Sequence, residues 1–368
     1  MDNLYYVVNW GKDKQRAWSG TNYGLYVALS KIFQIKEIEL QDYKASLISR
    51  VLNKILCHSS DFGIKNIINN RNRKLKSLHN EKSVFFQFSE IVQDSDYFST
   101  YIYQDLSVSY VKYMSENDKK TFKYSGFYNN SKTAIDNRYQ MQNEYYKNCK
   151  GIFTMGKWLE KDLIYRCGFP KDKVHHVGGG INLDYKLISP KVKTNNKILF
   201  VGRDFKRKGG YIVYDAFKIL KSKIPNVELH IAGPAQNPIK DPIDGYFYYG
   251  DSDHDKLSEL FNMCDIFCMP SYFEAYGLVF IEALVYGLPC IGRNAYEMPY
   301  FIKDNETGLL LKNDSPDELA QLMERLLFDN EIKRNVVSNR DNYIKEYSWD
   351  SVAQRIHNVI TSDNKQLF

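Results

Sequence analysis

Residues 270–291, PSYFEAYGLVFIEALVYGLPCI, decide how this chain is read. The apolar run DIFCMPS (265–271) leads into them and reads as a buried strand. A short loop carrying Glu274 and Gly277 follows, then a helix, then a break at Gly287-Leu288-Pro289 before another apolar run. Glu282 lies within FIEALV (280–285), where a carboxylate on a packed helix is costly without a partner. Glu274 stands eight positions earlier, at the mouth of the helix. The helix start between them offers free N–H groups and the positive end of a dipole, which suits a phosphate. Carboxylates accept hydrogen bonds from hydroxyls. Together these groups suit a sugar nucleotide.

Pro270, Ser271, Glu274, Gly277, Leu278, Glu282, Ala283, Gly287 and Pro289 all fit the pattern P-S-x-x-E-x-x-G-L-x-x-x-E-A-x-x-x-G-x-P. In this the stretch resembles the donor site of the retaining glycosyltransferases of family 4. The resemblance implies an α/β chain of the GT-B class, with two Rossmann-like doubly wound domains facing a central cleft. It implies that Glu282 binds the ribose hydroxyls and Glu274 the hydroxyls of the transferred sugar. Tyr276, Gly277 and Leu278 would line the same nucleotide-sugar site, with amides near Gly277 and Leu278 on the diphosphate.

Upstream, KILFVG (197–202) reads as a buried strand, followed by the loop RDFKRKGG (203–210) and a helix. Ligands sit at the carboxyl ends of strands in open α/β sheets, and Arg203 and Lys208 fall there. Two cations at that place would neutralise a departing diphosphate. VGRDFKRKG resembles the family's V-G-R-x-x-x-x-K-G, which carries Gly202, Arg203 and Lys208 over to the donor site. Lys206 and Arg207 read as solvated. Strands at 227–233 and 246–250, a helix at 255–263 and the strand at 265–271 then alternate, which predicts a parallel sheet. Asp251 and Ser252 stand where the family's nucleobase contacts lie. Beyond Gly292, Arg293, Asn294, Ala295 and Tyr296 replace the glycines that family members carry, so no sugar preference is transferred.

In the amino-terminal half, LYYVVNW (4–10), a polar loop and GLYVALSKIF (24–33) read as strand, glycine-bearing loop and helix. Gly20-Thr21 stands where the family has small glycines near diphosphate and acceptor, although a solvated glycine loop fits the residues equally well. Further strands are expected at 83–89 and 99–106. Asp105 closes the second and is the acceptor-side candidate. The family's His is absent, with Gln104 in its place. The basic segment RNRKLK (71–76) and the mixed segment 115–124 are read as solvated faces rather than an acceptor or membrane patch. Residues 148–185 resemble the end of the family's first domain. The expected divisions are 1–186, acceptor-binding; 187–346, nucleotide-sugar-binding; and 347–368, crossing back to the first domain.

Composition is that of a globular protein: 368 residues, 43% hydrophobic, 26% charged, net charge +6. The positive excess is too diffuse for nucleic acid, and no nucleic-acid motif is present. Aromatic content is 15%, mostly tyrosine, compatible with sugar stacking or a membrane interface but equally with core filling. The six cysteines have no CxxC spacing and read as buried thiols of a reducing cytosol. The amino terminus lacks a basic n-region, and no apolar run is long enough to span a membrane. Adjacent His175 and His176 would face opposite sides of a strand. The two DSD triplets, 94–96 and 251–253, are read as chance. No metal site and no cofactor are expected.

The resemblance therefore implies transfer of a glycosyl group from a nucleotide-diphosphate sugar, without metal, to a saccharide, glycolipid or other cell-envelope acceptor. Arg203, Lys208 and Glu274 would be the catalytic residues. A cytoplasmic location follows from the same resemblance; peripheral contact with the membrane face stays open. The alternative is a non-catalytic GT-B subunit that partners an active transferase. Such degenerate members usually lose the basic pair or one Glu, and this chain keeps all four.

Overall fold

The structure is a computed structural model and describes residues 3–40, 51, 54–55, 83–90, 92, 98–189 and 196–365. The chain forms two compact units, Met1–Gly180 with Trp349–Phe368, and Ile181–Ser348. The segments at 71–76 and 94–96 lie outside the described residues.

The first unit is built on β1 (Asn3–Val8), β2 (Gln34–Glu39), β3 (Ser83–Gln87), β4 (Phe98–Gln104), β5 (Gly151–Thr154) and β6 (Val174–His176). They form one parallel sheet in the order β2-β1-β3-β4-β5-β6. The central strands are near-continuous apolar runs because helices cover both faces of a parallel sheet. Much of the tyrosine is core here. Tyr6, Phe86, Phe153 and Tyr101 stack in a row across the sheet, with ring centroids 5.7, 6.0 and 5.4 Å apart. The first helix, Thr21–Leu29, starts earlier than its apolar spacing predicts, because Gly20 adopts φ 85° and turns the chain into it.

The helix Trp349–Lys365 belongs to this unit and buries Val352, Ala353, Ile356 and Ile360. The Trp349 indole rests on two glycines: a Cβ at Gly24 would meet it at 2.3 Å and one at Gly180 at 2.2 Å.

The second unit contains β7 (Lys197–Val201), β8 (Glu228–Ala232), β9 (Tyr246–Tyr248), β10 (Ile266–Cys268), β11 (Cys290–Arg293) and β12 (Gly308–Leu311). All pair in parallel, in the order β12-β11-β10-β7-β8-β9. The chain winds outward from β7 to β9, then returns to the other side of β7 to add β10 to β12. This is the dinucleotide-fold strand order, and its switch point falls between β7 and β10. The loops leaving those two strands carry Arg203, Lys208 and Glu274.

Candidate active site

Three helices start at a left-handed glycine shortly after a strand ends and have no side-chain cap. These are Gly20 (φ 85°) before Thr21–Leu29, Gly209 (φ 77°) before Gly210–Lys223 and Gly277 (φ 96°) before Leu278–Val285. Elsewhere Ser107, Ser131, Asp253, Ser315 and Asp329 cap the helices that follow them. An uncapped first turn leaves amides for an anion. In the second unit two such turns follow the strands on either side of the switch point.

Glu274 sits between them. It is 8% exposed, and its Oε2 receives Lys208 Nζ at 3.0 Å and Ser271 Oγ at 3.3 Å. Arg207 Nη1 lies 3.6 Å from the same oxygen. Burial pushes the Glu274 pKa up, but the charges of Lys208 and Arg207 outweigh it and hold the carboxyl below its ordinary range. From sequence alone Arg207 reads as solvated. Its side chain is instead only 23% exposed, and its Nη1 donates to Phe273 O at 2.7 Å. Spacing could not reveal this, because the partner backbone lies some sixty-six positions away.

Lys208 also reaches toward Met269 Sδ at 3.5 Å. Its stem crosses Gly202, where a Cβ would stand 2.2 Å from Lys208 Cδ. Gly209 is packed equally closely, with Pro270 O 2.5 Å from where its Cβ would be. Glycine at these positions lets the two loops approach each other.

Glu282 is 7% exposed on the Leu278–Val285 helix. Burial raises its pKa to about 7, while backbone hydrogen bonds from Asn182 and Leu183 and the charge of Lys208 act in the opposite sense. Lys208 therefore acts on both carboxylates. Arg203 does not: its side chain is 68% exposed and its Nε bonds Asp251 Oδ1 at 3.2 Å. Tyr276 is buried, its ring edge-on to Phe301 at 5.1 Å. Leu278 is half-buried at the first helical position. Ser252 Oγ donates to Gly250 O.

Arg293 and Tyr296, which sequence marks only as bulky replacements for glycines, have specific partners in the structure. Arg293 ends β11 with its guanidinium 4.5 Å from the Tyr272 ring centre, and its Nη2 bonds Asp314 Oδ1 at 3.1 Å and Pro270 O at 3.4 Å. Tyr296 adopts φ 56° and meets Phe273 edge-on at 5.1 Å. Both bulky replacements brace the Glu274 loop.

In the first unit, Gly20 lies in the turn after β1, and Asp105 directly follows β4. Gln104 is buried. Its Oε1 accepts from Tyr146 OH and from Gln142 Nε2, and Gln142 in turn bonds Glu90, the partner of Arg138. That network packs the sheet end. Burial pushes His176 down to about 4, with Lys157 and Arg355 adding to the effect. No cluster of three or more metal-ligating side chains occurs among the described residues, and none of the helices described is long and apolar enough to cross a membrane.

Residues 184–343 match the family model of glycosyl transferases group 1. The match covers Glu274, Glu282, Arg203 and Lys208. An uncharacterized glycosyltransferase of Methanocaldococcus jannaschii is 28% identical over 239 residues, 58% of this chain and 60% of its own length. The chain spans 48% to 60% of the two leading curated relatives it matches. Among solved structures, sucrose-phosphate synthase from Thermosynechococcus elongatus aligns with a TM-score of 0.70 at 17% identity, covering 98% of this chain and 99% of its own. WaaG, a glycosyltransferase involved in lipopolysaccharide biosynthesis, aligns with a TM-score of 0.67 at 15% identity, covering 97% and 99%. The fold is GT-B.

Proposed function

We propose that this protein is a retaining glycosyltransferase that uses a nucleotide-diphosphate sugar. The observation that carries the reading is Lys208 Nζ held 3.0 Å from Glu274 Oε2 at the switch point, beside the uncapped start of the Leu278–Val285 helix. A cation, a hydroxyl acceptor and free amides converge there, matching the charge and hydrogen-bonding pattern of a sugar diphosphate. The match to glycosyl transferases group 1 across this unit supports the same reading.

In the proposed reaction the bond between the anomeric carbon and the diphosphate oxygen breaks, and its electron pair leaves with the diphosphate. Lys208, Arg203 and the amides at Gly277 and Leu278 take up that charge. Arg203 reaches it by leaving Asp251, an exposed pairing that holds it weakly. The acceptor hydroxyl forms the new bond on the same face, and its proton passes to the departing phosphate. Retention then needs no protein nucleophile. Ser271 and the two cations crowd Glu274 Oε2, so Oε1 is the oxygen left for a sugar hydroxyl. Glu282 binds the ribose hydroxyls. Because side chains and amides supply the countercharge, turnover proceeds in the presence of chelator.

We assign the acceptor to the saccharide or lipid-linked class, with Asp105 on its side and Gly20 beside the donor diphosphate, and the site of action to the cytoplasm. WaaG's part in lipopolysaccharide biosynthesis supports an envelope acceptor. Thermal-shift screening against a panel of nucleotide sugars, followed by transfer or slow hydrolysis of the stabilising donor, tests the proposal. Stabilisation by one donor and release of its nucleoside diphosphate are expected. No shift with any member and no release would overturn it.

A further inference from the structure

Arg207, in the 203–209 loop, engages the backbone of the Glu274 loop. Its carbonyl accepts from Tyr272 N at 2.9 Å, and its Nη1 donates to Phe273 O at 2.7 Å. The same Nη1 stands 3.6 Å from Glu274 Oε2, behind Lys208 at 3.0 Å. Its Nε faces Asp204 Oδ2 at 3.3 Å, and Asp204 Oδ1 in turn accepts from Arg207 N at 3.1 Å. Two cations thus share one carboxylate oxygen, although a single cation would neutralise it.

The second cation becomes intelligible if Lys208 has another duty. A diphosphate at the switch point draws Lys208 toward itself, and a buried carboxylate abandoned by its only cation would be strongly disfavoured. We propose that Arg207 is a positioning residue that serves as the reserve counter-ion of Glu274, taking over the carboxylate when Lys208 turns to the donor diphosphate. This rests on the function proposed above, but the coupling between Arg207 and Glu274 exists without any donor. A guanidinium suits the part, because it stays charged and its fork can hold Phe273 O while turning a second N–H to the carboxylate.

The groups facing Glu274 are Lys208 and Arg207 from the loop after β7 and Ser271 from its own loop, with Asp204 behind Arg207. Removing Arg207 removes a charge that favours the ionised carboxyl, so protonation moves to higher pH. In Arg207→Gln, the acid limb of kcat/KM shifts upward by about 1 pH unit. The loss falls on kcat more than on KM, because it grows as Lys208 leaves. Arg207→Lys restores most of the acid limb. A clip acting only through Phe273 O would leave the pH profile in place and give equal losses with Gln and Lys.

A double-mutant cycle of Arg207→Gln and Glu274→Gln, read as melting temperature between pH 4 and pH 7, provides a measure independent of activity. Non-additive shifts that fade toward low pH are expected. Additive shifts at every pH would overturn the proposal, even if donor binding by the unaltered protein is confirmed. Conversely, coupling in the cycle without donor binding would remove the function and the kinetic arm while establishing the pair.

Discussion

The stem of Lys208 lies across the α-carbon of Gly202, so close that a methyl group there would stand 2.2 Å from Lys208 Cδ. The last residue before the basic loop thus sets where the ammonium group goes. Gly202→Ala should displace Lys208 from Glu274. We expect kcat to fall by about 10²-fold, as when one preorganised charge is lost from a transferring site, and melting temperature to fall only modestly. Steady-state kinetics and a thermal melt on the same preparation check both.

Lys208→Ala removes the ammonium group directly. Transfer should fall by about 10²- to 10³-fold with the fold retained, because Arg207 still pairs with Glu274. Circular dichroism and a transfer assay would test this, and unchanged turnover would refute the site.

Glu282 links pH to stability. Its folded pKa is about 7 against an ordinary 4.5, so its contribution is fully present below about 4.5 and is lost as pH rises through 7. The loss is about 3 kcal/mol. Glu282→Gln cannot ionise, so its stability relative to the parent should rise between pH 5 and pH 8. Urea unfolding at those two pH values measures it.

His176 has the opposite sign. Its pKa is depressed from 6.5 to about 4, so the stability of the neutral ring is present above 6.5 and is lost as pH falls through 4. His176→Gln should lessen the acid sensitivity of the first unit, read as hydrogen exchange of β5 and β6 at pH 5 against pH 7.

Trp349→Ala should cost about 2–3 kcal/mol, below the range for a fully buried aromatic, since the indole is half-buried and its loss leaves a gap against Gly24 and Gly180. The two glycines that admit the indole cannot close it. Chemical denaturation provides the measurement.

The alternation of strand and helix in the second half was legible because short apolar runs there alternate with segments of helical period. The pairing of Lys208 with Glu274 was foreseeable only through motif spacing. What spacing cannot express is which side chain turns back onto a distant backbone. Arg207 looked like one more charge in KRKGG (206–210), yet it is bound to Phe273. Arg293 and Tyr296 looked like intrusions in a glycine turn, yet they pack on Tyr272 and Phe273. In the first unit Gln104 marked an absence, and only the structure reveals the buried polar chain that occupies it. The early start of the first helix depended on Gly20 adopting a conformation that apolar periodicity does not register.

The helices beginning at Gly209 and Gly277 present main-chain groups where several other helices in this molecule place a serine or aspartate. Main-chain groups are the same whatever the sequence. If these turns hold the charged portion of the proposed donor, that hold can persist while surrounding side chains drift, and discrimination between one sugar and another would fall to the aromatic and arginine residues that shape the neighbouring loop. On that reading, exchanging Tyr272, Arg293 and Tyr296 as a set, with both glycines left alone, would change the donor without rebuilding its anchor.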